Sequence, residues 1–389
     1  MAAMEKKDKT LNVPHLRFPE FSGEWEKTSI GECFSKVENG LTYDTDNTSG
    51  VPVTRIETIS DKSINYDRVG YANIDDKISK YEMQYGDVLF SHINSLKHIG
   101  KTAFYDAAQP LYHGMNLILL RAKKSLDSKF LYYTLNTHKF LHRCQVLANQ
   151  AVNQASINTK ELKSINISVP QMQEQQKISG LISLLDERIE TQRKIIEDLK
   201  KLKDAISFIL FTSKTCDKWE LSNLATIVMG QSPSSQCYNT DNDGLPLIQG
   251  NLDITKGKLT PRLYSSEMTK KCHTGDVILT VRAPVGEVAI ADFDACIGRG
   301  VCAIRPFNNN YSVLIYQFLQ HYKPKWISLE QGSTFTSVSR NDIMSIKIGV
   351  SSIQAIEILN ILDDKISIED VILNNLNSQK NYLLAQMFI

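Results

Sequence analysis

Pro170-Gln171-Met172-Gln173-Glu174-Gln175-Gln176-Lys177-Ile178 opens a stretch whose apolar residues recur in alternating steps of four and three. The positions in phase are Ile178, Ile182, Leu185, Ile189, Gln192, Ile196, Leu199, Lys203, Ile206 and Leu210. Eight of these ten are apolar, the pattern of a helix that buries one narrow stripe against another helix. Proline is tolerated only at a helix start, so Pro170 marks the entrance. The predicted helix runs over 171–212 and spans roughly 60 Å at 1.5 Å per residue.

The same stripe returns 177 residues later as Ala355, Leu359, Leu362, Ile366, Glu369, Leu373, Leu376, Lys380, Leu383 and Met387. Even its polar breaks return, Gln192 as Glu369 and Lys203 as Lys380. Upstream, Trp25-Glu26 recurs as Trp219-Glu220, and Gly86-Asp87-Val88-Leu89-Phe90 as Gly275-Asp276-Val277-Ile278-Leu279. Ser156-Ile157-Asn158-Thr159-Lys160-Glu161-Leu162 is matched by Ser337-Val338-Ser339-Arg340-Asn341-Asp342-Ile343, and Leu185-Asp186-Glu187-Arg188-Ile189 by Leu362-Asp363-Asp364-Lys365-Ile366. A repeat of this kind fixes the architecture before any local reading.

Each half therefore holds short apolar strands broken by Gly, Pro, Asn and Asp, followed by one long helix. One amphipathic helix is expected inside each strand region, near Ser128 to Arg143 and Ser312 to Tyr322. Seven residues, 212–218, join the halves and reach at most about 25 Å. The second long helix must run back along the first to bury its stripe, so a rod with a head at each end is expected. The expected fold class is α+β: two similar domains of irregular β-sheet with helices, joined by two long antiparallel coiled-coil helices with pseudo-two-fold symmetry. In the expected register Lys203 lies opposite Glu369 and Gln192 opposite Lys380, so that the polar breaks act as a key.

Composition narrows the classes. A chain of 389 residues, 42% apolar and 22% charged, is globular and long enough for two domains. No run of 18 apolar residues occurs, and the charged start, Met1 to Thr10, lacks an apolar segment after its lysines. Seven cysteines without a C-x-x-C spacing argue against disulfide and zinc frameworks, so a cytoplasmic protein with no membrane association is expected. Net charge is only +1; residues 25–170 carry 17 basic and 15 acidic side chains, and 219–352 carry 12 and 11. Heads this neutral hold DNA weakly by themselves, because phosphate neutralisation supplies most non-specific affinity.

No phosphate loop, dinucleotide fingerprint, H-E-x-x-H or N-P-P-Y-type tetrapeptide is present. Gly230-Gln231-Ser232-Pro233-Ser234 lacks the last glycine of a nucleophile elbow, and Gly298-Arg299-Gly300 reads as a strand-edge turn. His138, His142 and Cys144 have no nearby fourth ligand, so no metal and no cofactor is expected on this chain. What remains is polar loop chemistry. In the first domain the candidates are Asn39, Thr42, Tyr43, Asn94, Ser95, Lys97, His98, Lys101, Asn149, Gln150, Asn153 and Gln154; in the second, Gln231, Ser232, Gln249, Asn251, Arg282, Arg299, Ser333, Thr334 and Thr336. Asn, Gln and Arg can make paired contacts to base edges, and Lys, Ser and Thr suit phosphates. A structural adaptor whose two heads bind proteins is the competing reading.

The ordered set Val13-Pro14-His15-Leu16-Arg17-Phe18-Pro19, Trp25, the P-x-x-x-E-Q-Q-K-I helix entrance, Gly230-Gln231-Ser232-Pro233 and Ile248-Gln249-Gly250-Asn251 resembles the specificity subunit of type I restriction-modification systems over nearly the whole chain. The resemblance implies an N-terminal extension (1–24), target-recognition domains at 25–170 and 219–352, a central conserved helix (171–212) and a C-terminal one (353–389). It implies a non-catalytic reader of double-stranded DNA, each domain reading half of a split target. The helices would space the domains and dock two methyltransferase subunits that use S-adenosylmethionine. Restriction subunits would bring ATP, Mg and cleavage. The second repeat departs from the pattern: Val350-Ser351-Ser352-Ile353-Gln354-Ala355-Ile356 lacks the proline and the E-Q-Q-K run, so the resemblance supports equal docking on the two repeats less well than the rest.

Overall fold

Two Gly-Asp turns, at Gly86-Asp87 and Gly275-Asp276, stand at the same corner of two equivalent sheets. In a computed structural model the described residues are 11–44, 46–60, 63–73, 78–150, 154–213, 218–331, 337–349 and 353–389, with only the backbone described at 150, 327–331 and 353–354. The chain forms two compact units, Met1–Thr191 with Leu373–Ile389, and Gln192–Ile372.

The core of the first unit is an antiparallel sheet in the order Phe34–Asn39, Ile118–Ala122, Val88–Phe90, Thr102–Phe104. In the second unit the order is Ala225–Met229, Val301–Pro306, Val277–Thr280, Val288–Ile290, which repeats the first strand for strand. Alternation along the strands fills both faces. Ile118 and Leu120 join Val88, Phe90 and Phe130 in one cluster, while Leu119, Leu89 and Ala103 point into another. In the second unit Val277, Leu279, Cys302 and Ile304 face the helices, and Ile278, Ala303 and Val301 face away. Each fully buried Leu or Ile contributes about 1.5–3 kcal/mol, so these doubly covered sheets are the main source of stability.

At the turns Gly86 and Gly275 have φ of 90° and 92°, a region that favours glycine. Beneath each turn a buried aspartate takes an arginine from the neighbouring strand. Arg121 Nε and Nη2 each donate to Asp87 at 2.7 Å, and Arg305 donates to Asp276 at 2.9–3.3 Å. Neither pair was foreseen as a unit, although both aspartates belong to the repeated motif.

One helix was expected near 128–143, but two form, Ser128–Leu135 and His138–Leu147. Asn136 ends the first and Thr137 caps the second, its Oγ1 accepting the Phe140 amide. In the second unit the helix Asn310–Gln331 runs past Pro324, well beyond the expected end at Tyr322. Trp326, 4% exposed and edge-on to Tyr322, buries the first of the extra turns, and that packing outweighs the lost backbone bond.

The long helices are Met172–Thr212 and Ile353–Gln386. Of the stripe, Ile178, Ile182, Ile189, Ile196, Leu210, Leu359, Leu362 and Leu376 are buried. Leu185, Leu199, Ile206, Ile366, Leu373 and Leu383 are half-buried. Within the second unit Gln192 bonds Glu369 while Lys203 pairs with Asp363, so the two helices run antiparallel there. In the first unit Lys380 pairs with Asp186. The expected register is thereby corrected: Lys203 meets Asp363 rather than Glu369, six residues or about 9 Å along the helix. Lysine is long enough to leave the stripe and reach an aspartate on its flank, and Gln192 meets Glu369 where Lys380 was expected, so the partner of each break was misassigned. The chosen partners respect the repeat. Lys203 with Asp363 and Lys380 with Asp186 are counterparts, and Gln192 and Glu369, which are each other's counterparts, face one another.

The E-Q-Q-K run organises the first unit. Glu174, 1% exposed, accepts Arg17 Nε and Nη2 at 2.8 Å each and the Trp25 indole N–H at 3.3 Å. Gln175 accepts the Asp127 amide and donates to the Pro170 carbonyl; Lys177 pairs with Glu20 and lies 4.5 Å over the Phe18 ring. The motif therefore clamps the segment 12–25 onto the helix entrance. Trp25 is 3% exposed, whereas its counterpart Trp219 is 44% exposed. The second half of the chain lacks both the clamp residues and a preceding segment for them to hold.

Candidate nucleic-acid interface

Short strand pairings gather most first-domain candidates. Asn94 lies opposite Ala155, Gln150 opposite the same residue and Asn149 opposite Ser156, so the three share one small sheet that the exposed Gln154 adjoins. Ser95 to His98 forms the turn that leaves this sheet, with Ser95 Oγ against His98 Nδ1 at 3.1 Å. The Ser91 amide bonds the Lys101 carbonyl, which returns Lys101 to the same edge; Lys97 and Lys101 are exposed. Exposed Asn39 ends its strand beside Met115, its Nδ2 donating to that carbonyl at 2.9 Å. Thr42 is exposed one turn further on. Tyr43 is not a surface residue: it is 8% exposed among Val53, Ala72 and Ile78, because an aromatic ring gains more there than in water. Asn153 lies outside the described residues.

Two histidines behind this edge carried no signal in the sequence. His92, 8% exposed, accepts from Asn39 Nδ2 through Nε2 at 3.1 Å, and burial lowers its pKa. His113, 2% exposed, donates Nε2–H to the Glu38 carbonyl at 3.0 Å, and burial pushes it down to about 4. Both are neutral near pH 7, so they hold amides and carbonyls in place without adding charge.

In the second domain the Gly298-Arg299-Gly300 turn joins Ala295–Ile297 to Val301–Pro306 and pulls in two distant segments. The Gly230 amide bonds Val301, the Gln231 amide bonds Ile297 and the Gly298 amide bonds Ile248. Backbones approach so closely that a Cβ on Gly230 would sit 2.1 Å from the Gly298 carbonyl, and one on Gly300 2.0 Å from that of Gln249. Only glycine fits. The result is a compact group: Gln231 and Arg299 exposed, Ser232 Oγ accepting the Arg299 amide at 3.1 Å, and Gln249 Nε2 donating to Tyr238 Oη at 2.9 Å. Asn251 is half-buried beside Asp253, whose carboxylate accepts the Gln249 amide and Arg262 Nε. Arg282 follows Val281, whose amide bonds the Gly300 carbonyl. Among the described residues Arg299 and Arg282 have no acidic partner, which leaves both guanidiniums available to a ligand. Tyr238 and Arg262 belong to this surface and were missed, since nothing in their local sequence marks them. Ser333, Thr334 and Thr336 lie outside the described residues.

Among the described residues no cluster of His, Cys, Asp or Glu could hold a metal ion, and no helix is long and apolar enough to cross a membrane. His138 and His142 stack on one helix face, their rings 6.4 Å apart, while Cys144 is buried.

The family model of the type I restriction modification DNA specificity domain matches twice, at residues 22–201 and 214–378. A putative type I restriction enzyme specificity subunit of Methanocaldococcus jannaschii is 36% identical over 365 residues, 87% of this chain and 86% of that protein. A second specificity subunit of the same organism is 25% identical over about half of each chain. Among solved structures, the S subunit of a type I restriction-modification system from M. genitalium aligns with a TM-score of 0.65 at 18% identity, covering 97% of this chain and 99% of that one.

Proposed function

The chain belongs to the family of type I restriction-modification specificity subunits, and from that premise we propose that it is the sequence reader of its complex. Each domain reads one half of a split site in double-stranded DNA, while the antiparallel helices set the spacing and dock two methyltransferase subunits. The chain is not catalytic. S-adenosylmethionine belongs to the methyltransferases, and ATP and Mg to the restriction subunits. One observation carries the reading: equivalent sheets in the two halves each present a different cluster of amides and cations, as two readers of different half-sites require. The test is adenine-methylation mapping in the host. Deleting the gene should erase a split motif, and exchanging residues 219–352 should change one half of it; loss of both halves, or of neither, contradicts the reading.

Arg299→Ala should weaken the second half-site by about 1–3 kcal/mol if the guanidinium meets a guanine. Binding of oligonucleotides substituted in that half measures it, and equal affinities for all of them would remove Arg299 from the interface.

An apolar groove supports the docking role. In the first unit it is lined by Leu181, Leu184, Leu185 and Arg188 with Tyr382 and Leu383. Leu184 is 64% exposed and Tyr382 61%. In the second unit Ile358 and Ile361, the counterparts of Leu181 and Leu184, are exposed as well. Leu184→Ser should cost about 2 kcal/mol of methyltransferase affinity, as expected for one leucine withdrawn from an interface. Calorimetry of the purified subunits reads this directly, and unchanged affinity would place the docking surface elsewhere.

A further inference from the structure

One contact recurs in both units although the residues that make it differ. Asp186 on the helix Met172–Thr212 accepts Lys380 Nζ at Oδ1 and Tyr133 Oη at Oδ2, the latter at 2.9 Å. Asp363, its counterpart on Ile353–Gln386, accepts Lys203 Nζ at Oδ1 at 2.6 Å and Gln317 Nε2 at Oδ2 at 2.7 Å. In each case one oxygen binds the opposite long helix and the other binds a helix of the recognition domain, Ser128–Leu135 or Asn310–Gln331. Tyr133 and Gln317 are 4% and 1% exposed, so each is committed to this contact. Tyr133 is held further by Ser183 Oγ at 3.1 Å.

We infer that Asp186 and Asp363 are positioning residues: each fixes the angle at which its recognition sheet stands on the helix pair, and so the spacer length accepted between half-sites. The inference rests on the split-site reading above. Apolar packing of the sheet domains on the helices supplies energy but little direction. A carboxylate that takes one donor on each oxygen defines two directions at once, and charge-assisted bonds are the stiffer kind. A tyrosine and a glutamine meeting the same oxygen in two otherwise divergent domains points to that geometry, rather than a shared side chain, as what the repeat keeps. Adjacent base pairs are about 3.4 Å apart, so a rotation at the helix surface that moves the reading loops by about that distance shifts the accepted half-site by one step.

The test uses the full chain assembled with its methyltransferase subunit in cells, with methylated adenines mapped genome-wide. The wild type defines the motif and its spacer. Tyr133→Phe and Gln317→Met each remove the link to one recognition domain and leave the Lys–Asp pair intact. The expected result is unchanged half-site bases, with modified sites whose spacer is one base pair longer or shorter enriched about five-fold, as for the loss of one net hydrogen bond. Asp186→Asn, which keeps an acceptor for Tyr133, should shift the spacer less than Tyr133→Phe. An unchanged spacer distribution with a lowered melting temperature would make the contact merely structural and overturn the inference, as would altered half-site bases. A wild-type complex that modifies no split motif overturns the underlying reading instead, and it does so before any variant is compared.

Discussion

Arg121→Met is expected to destabilise the first unit by about 3–5 kcal/mol, the usual cost of stranding one member of a buried ion pair. Asp87 is 1% exposed and both of its oxygens face the guanidinium; beyond that, Oδ2 accepts the Gln84 amide, at 2.8 Å. A methionine fills the space of the arginine stem but leaves a carboxylate without its counter-charge in a poorly solvated corner. The double variant Asp87→Leu with Arg121→Met should recover most of the loss, since replacing both partners by apolar groups is often near neutral. Arg305→Met should cost less, because that arginine is 36% exposed and its bonds to Asp276 are longer. Urea unfolding followed by tryptophan fluorescence, with the units resolved as separate transitions, measures all three. A shift below about 1 kcal/mol for Arg121→Met would show that water reaches Asp87 and that the pair is only a surface bridge.

The same pair shows where sequence reasoning reaches and where it stops. Gly86-Asp87 and Gly275-Asp276 were legible as repeated turns, because a glycine before a strand and its aspartate are local chemistry. The arginines stand on another strand, 34 and 29 residues from their aspartates, and only the fold pairs them. The helical stripes were legible for the same reason as the turns, since a period is local. Their register was not: it depends on which flank a lysine reaches, and Lys203 and Lys380 left the stripe for Asp363 and Asp186. In the candidate interface, the gathering of Gln231, Ser232, Gln249 and Arg299 follows from glycines at 230, 298 and 300 that let three backbones touch. Those glycines were visible, but their mutual contact was not. Tyr43 went the other way, a polar-looking loop residue drawn into the core by its ring.

Acid should unfold the first unit through His113, with about 2.5 kcal/mol of stability lost between pH 7.5 and 4.5 from this one group. The ring is 2% exposed and tightly enclosed: a Cβ at Gly40 would come within 2.7 Å of its Cδ2. Burial is the main cause of its low pKa of about 4; the Glu38 carbonyl bond and the Glu38 and Asp87 charges oppose it without prevailing. The folded protein therefore keeps His113 neutral until about pH 4, while the unfolded chain takes up a proton near the ordinary value of 6.5. Stability is complete above about 6.5 and falls as protons bind to the unfolded state alone. The lowered pKa of His92 adds in the same direction. A lowered carboxylate such as Glu32 loses its contribution only at lower pH and is solvent-exposed, so it adds little in this window. His113→Gln can still donate to the Glu38 carbonyl but cannot titrate, so its unfolding free energy should depend much less on pH over the same interval, whatever its absolute value. Parallel urea titrations of both proteins at several pH values measure the difference in slope. If the variant loses stability as steeply as the wild type, the acid sensitivity arises elsewhere.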